Sequence, residues 1–146
     1  MRKIDGDDRT VISSLDVQEC LVLLRWEPIA RLAYGVRAEA PIVVPVNIVV
    51  DDDTILFRSD DGPKLDRIRE QPVSLQADRF DWYRRIGWSV LARGVAHEYV
   101  PDDESWLDPQ PWSPGAKAHW LRLVPTAITG RRLELSEAPM DPRGYL

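Results

Sequence analysis

Cysteine is almost absent from this chain, with Cys20 the only one. A single thiol forms no intramolecular disulfide and no cysteine-based metal cluster. Histidine is nearly as scarce. His97 and His119 fall in separate predicted strands without a carboxylate or cysteine at ligand spacing, so no metal is expected. Glu98 follows His97 directly, but neighbours in a strand face opposite sides. Basic residues are in deficit: 19 Lys and Arg against 24 Asp and Glu give a net charge of −5. That balance leaves no cationic excess for nucleic-acid phosphates, although a small phosphorylated ligand needs only two or three local cations. No apolar run approaches the ~18 residues of a membrane span. The N-terminal MRKIDGDDRT lacks the apolar centre of a signal peptide. The expectation is therefore a soluble, cytoplasmic protein with neither nucleic acid nor membrane as partner. No Ser-His-Asp arrangement, Walker motif or G-x-G-x-x-G occurs.

What is present fits one domain: 146 residues, enough to bury a real core, with 44% hydrophobic and 29% charged residues. Six tryptophans are many for this length and imply either an aromatic core or a stacking surface for a planar ligand. Residues 1–12 are charged and unpatterned, a loose arm; residues 13–135 hold the folded domain; residues 136–146 read as a frayed tail. Ser14 is expected to cap a helix from Leu15 to about Trp26, and Cys20 within it reads as a small half-buried side chain. Ile29–Val36 reads as a strand. Ile42–Val50, almost wholly apolar and β-branched, reads as a strand buried on both faces.

Asp51-Asp52-Asp53 interrupts that run as a solvated hairpin tip, and Thr54–Arg58 resumes the strand. Ser59-Asp60-Asp61-Gly62 is turn chemistry, and Pro63 suits the first position of a helix over Pro63–Glu70. Val73–Phe80 alternates with Val73, Leu75 and Ala77 on one side. In Ile86–Val100 the even positions from Ile86 to Ala96 share one face, and Gly94 marks a bulge or sharp coil. Pro101 to Glu104 opens a short helix, DPQPWSPGAKA is a Pro-rich loop, and His119–Val124 is a core strand that Pro125 breaks before Ala127–Leu135 resumes. The sum is a mainly β chain: about six strands in a mostly antiparallel sheet that closes into a small barrel with short flanking helices.

One constellation suits a planar, phosphate-bearing cofactor. Arg58, Ser59, Gly62 and Lys64 offer cations, a hydroxyl and backbone N–H groups to a phosphate; Asn47 and Gln76 offer amides to the edges of a heterocycle; Trp88 offers a stacking face. Each also has a plainer role, Lys64 as a solvated lysine, Gln76 as a surface strand residue and Trp88 as a core ring. Asp60 and Asp61 stand in the same loop and oppose an anion.

The order PVNIVVDDDTILFRSDDGPKLDRI, GWSVLARGVA, WLRLVPTAITGRRL resembles the pyridoxamine 5′-phosphate oxidase-like, FMN-binding split-barrel family. The likeness is to the branch of small proteins that includes nitroimidazole-reductase-like members. RLAY and the G-x-K-x-x-x-I start (Gly62, Lys64, Ile68) carry it too, and it spans about Ser14 to Leu135. The resemblance implies a six-stranded split barrel and a homodimer with FMN in clefts at the interface. It implies phosphate contacts from Arg58, Ser59 and Lys64 beside Gly62, and Pro45, Val46 and Asn47 along the isoalloxazine edge. Gln76, Trp88 and Ser89 are implied near the ring, the last two from the second subunit. The chain lacks the C-terminal substrate region of the true oxidases, so vitamin B6 oxidation is not expected.

The function implied is a flavin-dependent oxidoreductase of unassigned small-molecule substrate, with an electron donor such as NAD(P)H and no side-chain acid or base required. A deazaflavin is the variant cofactor. A flavin- or haem-binding carrier without turnover, and a structural dimer with an empty cleft, are the rival classes.

Overall fold

The computed structural model describes residues 10–35, 37–102 and 107–136. Eight strands and two helices follow one another: β1 (Thr10–Leu15), α1 (Val17–Arg25), β2 (Ile29–Tyr34), β3 (Ile42–Asn47), β4 (Val49–Asp51), β5 (Thr54–Ser59), α2 (Pro63–Ile68), β6 (Gln71–Asp81), β7 (Ile86–Tyr99) and β8 (His119–Leu135). The strands form one sheet in the order β3-β2-β6-β7-β8-β5-β4, with β1 added on β8. Every strand pair in it is antiparallel.

β3 and β4 stand at opposite ends of that order, yet only Ile48 separates them in the chain. The backbone N–H of Ile48 donates to Pro28 O at 3.1 Å and its side chain is buried, so the run bends there and joins the two ends of the sheet. The result is a split barrel. With β3 and β4 taken as one strand, the barrel has the six strands expected from sequence, and β1 is an addition to it. β1 takes in Thr10–Ile12 of the N-terminal arm. Residues 1–9, the end of the predicted strand at Val36, the continuation past Asp102 of the short helix predicted to open at Pro101, and the tail from 137 lie outside the described residues.

Period-two alternation fills the barrel. Ala30, Leu32 and Tyr34 of β2, Val73, Leu75 and Ala77 of β6, Val90, Ala92 and Ala96 of β7, and Leu121 and Leu123 of β8 are all buried. Phe57 of β5 and Leu65 and Ile68 of α2 complete this core. Trp88 packs against this core half-buried, whereas Trp26, Trp82 and Trp112 are 79%, 91% and 69% exposed, which leaves the stacking-surface alternative open for those three.

Four local expectations change. The cap of α1 is Asp16, not Ser14: its carboxylate accepts from Glu19 N at 2.8 Å, while the Glu19 carboxylate accepts from Asp16 N at 3.1 Å. Ser14 instead pairs in β1 with Arg131. Cys20 is wholly buried, and burial first, then Asp16 and Glu19, push its thiol pKa up. Pro125 does not break the last strand, because it sits where the β7–β8 register shifts between Arg93 and Gly94. A bulge tolerates proline's missing donor. A Cβ on Gly94 would lie 2.1 Å from Val124 O, so the close approach at the bulge needs glycine. Finally, β3 is an edge strand whose Ile42 and Val43 are 36% and 59% exposed, not a strand buried on both faces. Among the described residues no helix is long and apolar enough to cross a membrane.

Candidate functional site

A cleft of about 220 Å³ opens between β3, the β5–α2 connection and the Pro-rich segment before β8. Pro45, Val46, Asn47, Arg58 and Lys64 line it, together with Ile29, Pro111, Trp112, Ser113 and Lys117. The β5–β8 register explains how the distant segment arrives. Arg58 pairs with Trp120 and Ser59 with His119, so the residues just before β8 end beside the 59–62 turn.

Three side chains, Arg58 and Asn47 of the cleft and Asp60 beside it, hold that segment in place. Arg58 donates from Nε to Lys117 O at 2.9 Å and from one terminal nitrogen to Ala116 O at 3.2 Å. Its other terminal nitrogen donates to Asp108 Oδ1 and Oδ2 at 3.1 and 3.3 Å. Its guanidinium carbon also stands 4.6 Å from the centroid of the Trp120 ring. Asn47 accepts from Trp112 N at 2.9 Å and donates to Pro28 O at 3.1 Å. Asp60 accepts from the backbone N–H of Lys117 at 2.7 Å and from its Nζ at 2.6 Å. These hydrogen bonds from Lys117 hold the Asp60 carboxyl below the usual carboxylate range.

The aspartates that oppose an anion in the sequence are thus both engaged. Asp61 pairs with Nε2 of His119, whose Nδ1 pairs with Glu98. Glu98 first and Asp61 second raise the His119 pKa, while His119 and then Arg69 hold the Glu98 carboxyl down. Lys64 is different. It is half-buried and makes no hydrogen bond or ion pair among the described residues, and burial first, then the charge of Lys117, lowers its pKa. Ser59 is buried and its Oγ donates to Asp60 O at 3.1 Å. Gly62 takes φ 135° and ψ −177°, a conformation that L side chains avoid, and so turns the chain into α2.

The other sequence candidates lie elsewhere on the chain. Gln76 and Ser89 share a larger hollow of about 660 Å³ with Arg131. There Gln76 donates to Asp78 at 2.7 Å and to Ser89 Oγ at 3.3 Å, and accepts from Arg31 at 3.2 Å. Trp88 lines a third hollow beside Arg79, Ile86 and Arg132. Lys117, Trp112 and Asp108 belong to the site region and are not singled out by sequence, which weighs His119 only as a metal ligand. The available signal was a tryptophan and a lysine inside a Pro-rich segment that leads straight into a core strand.

Residues 16–132 match the pyridoxamine 5′-phosphate oxidase family. An uncharacterized protein of Mycobacterium tuberculosis is 31% identical over 142 residues, covering 90% of this chain and 92% of its own. The solved FAD-binding protein of Mycobacterium smegmatis is 32% identical with a TM-score of 0.69, over 85% of this chain and all of the other. A Corynebacterium glutamicum structure whose name refers to the same oxidase is 30% identical with a TM-score of 0.70, over 91% of this chain and all of its own. With the split barrel, these matches place the chain in the pyridoxamine 5′-phosphate oxidase-like family.

Proposed function

We propose that the cleft binds the phosphate end of a flavin and that the protein is a flavin-dependent oxidoreductase acting as a homodimer. Lys64 carries this reading. It is half-buried and makes no hydrogen bond or ion pair among the described residues, the Asp60 carboxylate acting on it only through its charge, on a cleft whose other ionisable lining groups, Arg58 and Lys117, are also cations. A buried charge is costly unless paired, and a phosphate supplies the missing partner. The FAD named for the M. smegmatis relative supports a flavin, and FMN is the smaller form that meets the same phosphate requirement.

Bound flavin supplies the hydride and electron chemistry, with NAD(P)H as donor and a small molecule as acceptor. The chain's own residues bind and orient it. Lys64 and Lys117 hold the phosphate beside Gly62 and Ser59, while Arg58 acts by fixing the 108–117 segment. Pro45, Val46 and Asn47 present edge-strand backbone to the ring, since the Asn47 amide is used within the chain. Gln76, Trp88 and Ser89, on separate hollows of one chain, reach the same ring from the partner subunit.

Titration with FMN and FAD, followed by absorbance near about 450 nm, tests the binding. Lys64→Ala is expected to weaken it by about 1.5–3 kcal/mol, the scale of a charge-assisted hydrogen bond. An unchanged Kd refutes the phosphate role. The rival class is a flavin carrier without turnover. Reduction of the bound flavin by NADPH or NADH, then reoxidation by an acceptor, separates enzyme from carrier.

A further inference from the structure

His119 stands between two carboxylates. Its Nε2 meets Oδ1 of Asp61 and its Nδ1 meets Oε1 of Glu98, both within hydrogen-bonding distance. An ionised carboxylate only accepts, so both ring nitrogens must carry hydrogen, and the bridge closes on the imidazolium alone. Once one proton leaves, a ring lone pair faces a carboxylate and one of the two contacts opens.

Asp61 is the side chain that leaves. The Glu98 side chain is 29% exposed and also accepts from Arg69 at 2.9 Å, whereas that of Asp61 is 86% exposed and makes no other hydrogen bond or ion pair among the described residues. The other charged groups around the bridge already have partners: Arg69 has Glu98 and Asp66, Glu70 has His97, Asp60 has Lys117 and Arg58 has Asp108. Lys64 makes no hydrogen bond or ion pair among the described residues, and it lines the cationic cleft three residues beyond Asp61, across Gly62 and Pro63. A freed Asp61 carboxylate and a bound phosphate are thus two anions with one ammonium between them.

Resting on the phosphate reading above, we propose that His119 is a positioning residue: as imidazolium it holds Asp61 away from Lys64, and on losing its proton it frees Asp61 to compete with the bound phosphate for that lysine. Asp61 is then an internal competitor, and it weakens ligand binding as pH rises. Glu98 first and Asp61 second lift the His119 pKa above the ordinary 6.5, so the latch is closed in mildly acidic solution and opens on the alkaline side. The phosphate's own chemistry runs the other way. The second ionisation of a phosphate monoester, near about pH 6, adds negative charge as pH rises and strengthens its attraction to Lys64 and Lys117.

The full-length wild type, Asp61→Asn and His119→Ala are each titrated with FMN between about pH 5.5 and 8.5, a range that brackets histidine ionisation. Dividing the wild-type Kd by that of Asp61→Asn cancels the ionisation of FMN itself. The ratio is expected to grow about three- to fivefold from the acidic to the alkaline end, the scale of one ion pair. Loss of a charge alone would change Kd by the same factor at every pH. His119→Ala leaves Asp61 free throughout, so it is expected to bind about three- to fivefold more weakly than wild type at the acidic end and equally at the alkaline end. A merely structural contact would weaken both variants alike in acid. His119, one of two histidines, is also followed by NMR in the ligand-free protein, and Asp61→Asn is expected to lower its titration midpoint. A ratio that does not change with pH, or a midpoint that Asp61→Asn leaves in place, overturns the latch alone. Failure of the wild type to bind FMN at any pH overturns the phosphate reading and the competition with it.

Discussion

The ammonium of Lys117 lies 2.6 Å from Asp60 Oδ2, while its backbone N–H donates to Oδ1 of the same carboxylate at 2.7 Å. One residue thus neutralises the acidic turn and pins the Pro-rich segment across the cleft. Asp60→Asn keeps an oxygen acceptor for the Lys117 N–H but removes a negative charge beside the proposed phosphate seat. The variant is expected to bind phosphate-bearing flavin about three- to tenfold more tightly at low salt, with the gain shrinking at high ionic strength. Isothermal titration at two salt concentrations checks both the sign and its screening.

His119 makes folding stability depend on pH. Its folded pKa is raised above 6.5 by Glu98 and Asp61, so its stabilising contribution is full below 6.5 and is lost as pH rises through the folded value. Glu98 works in the opposite sense. Its folded pKa is depressed below 4.5, so its contribution is present above 4.5 and is lost as pH falls through the folded value. Both contributions coexist between 4.5 and 6.5. Thermal melts are expected to show the highest Tm in that window and a decline on the alkaline side. His119→Gln cannot take up the proton and is expected to flatten the alkaline decline.

The bulge gives a steric test. A methyl group on Gly94 would meet Val124 O at 2.1 Å and Pro125 Cα at 2.9 Å, both backbone atoms that no side-chain rotation can move aside. Gly94→Ala is therefore expected to cost about 1–3 kcal/mol, in the range of an overpacked core position. Urea melts check it, with an unchanged m-value showing that the native state alone is strained.

How much of this the sequence revealed depended on the range of the contacts. Strand faces follow from neighbours two residues apart, so the inward sides of β6 and β7 and the bulge at Gly94 were legible. At the start of α1 both Ser14 and Asp16 are capping residue types; the reciprocal bond from Glu19, three residues on, selects Asp16. The exposed face of β3 was misread because an apolar run looks the same at an uncovered edge as in a sheet's middle. The turn at Gly62 that carries Lys64 to the cleft is local and was legible. The opposite wall was not, because Asp108 is 50 residues from Arg58 and Lys117 is 57 from Asp60, and no local pattern encodes pairings that long.

The division of the candidate residues between separate hollows gives the last prediction. If Lys64 and Ser89 touch one flavin, they do so from different subunits, and variants at the two positions must complement. Lys64→Ala removes the phosphate cation, and Ser89→Tyr fills the hollow that Ser89 shares with Gln76. Each homodimer then has two damaged sites. Random exchange makes about half of all dimers mixed, and each mixed dimer has one doubly damaged and one intact site. Mixing the two weakened variants is expected to restore about a quarter of the tight flavin-binding sites of the wild type, against none for either alone. Flavin retained after gel filtration of the exchanged mixture measures it. No recovery, with subunit exchange shown separately by tagged chains, would mean that the two residues do not share a site across the interface.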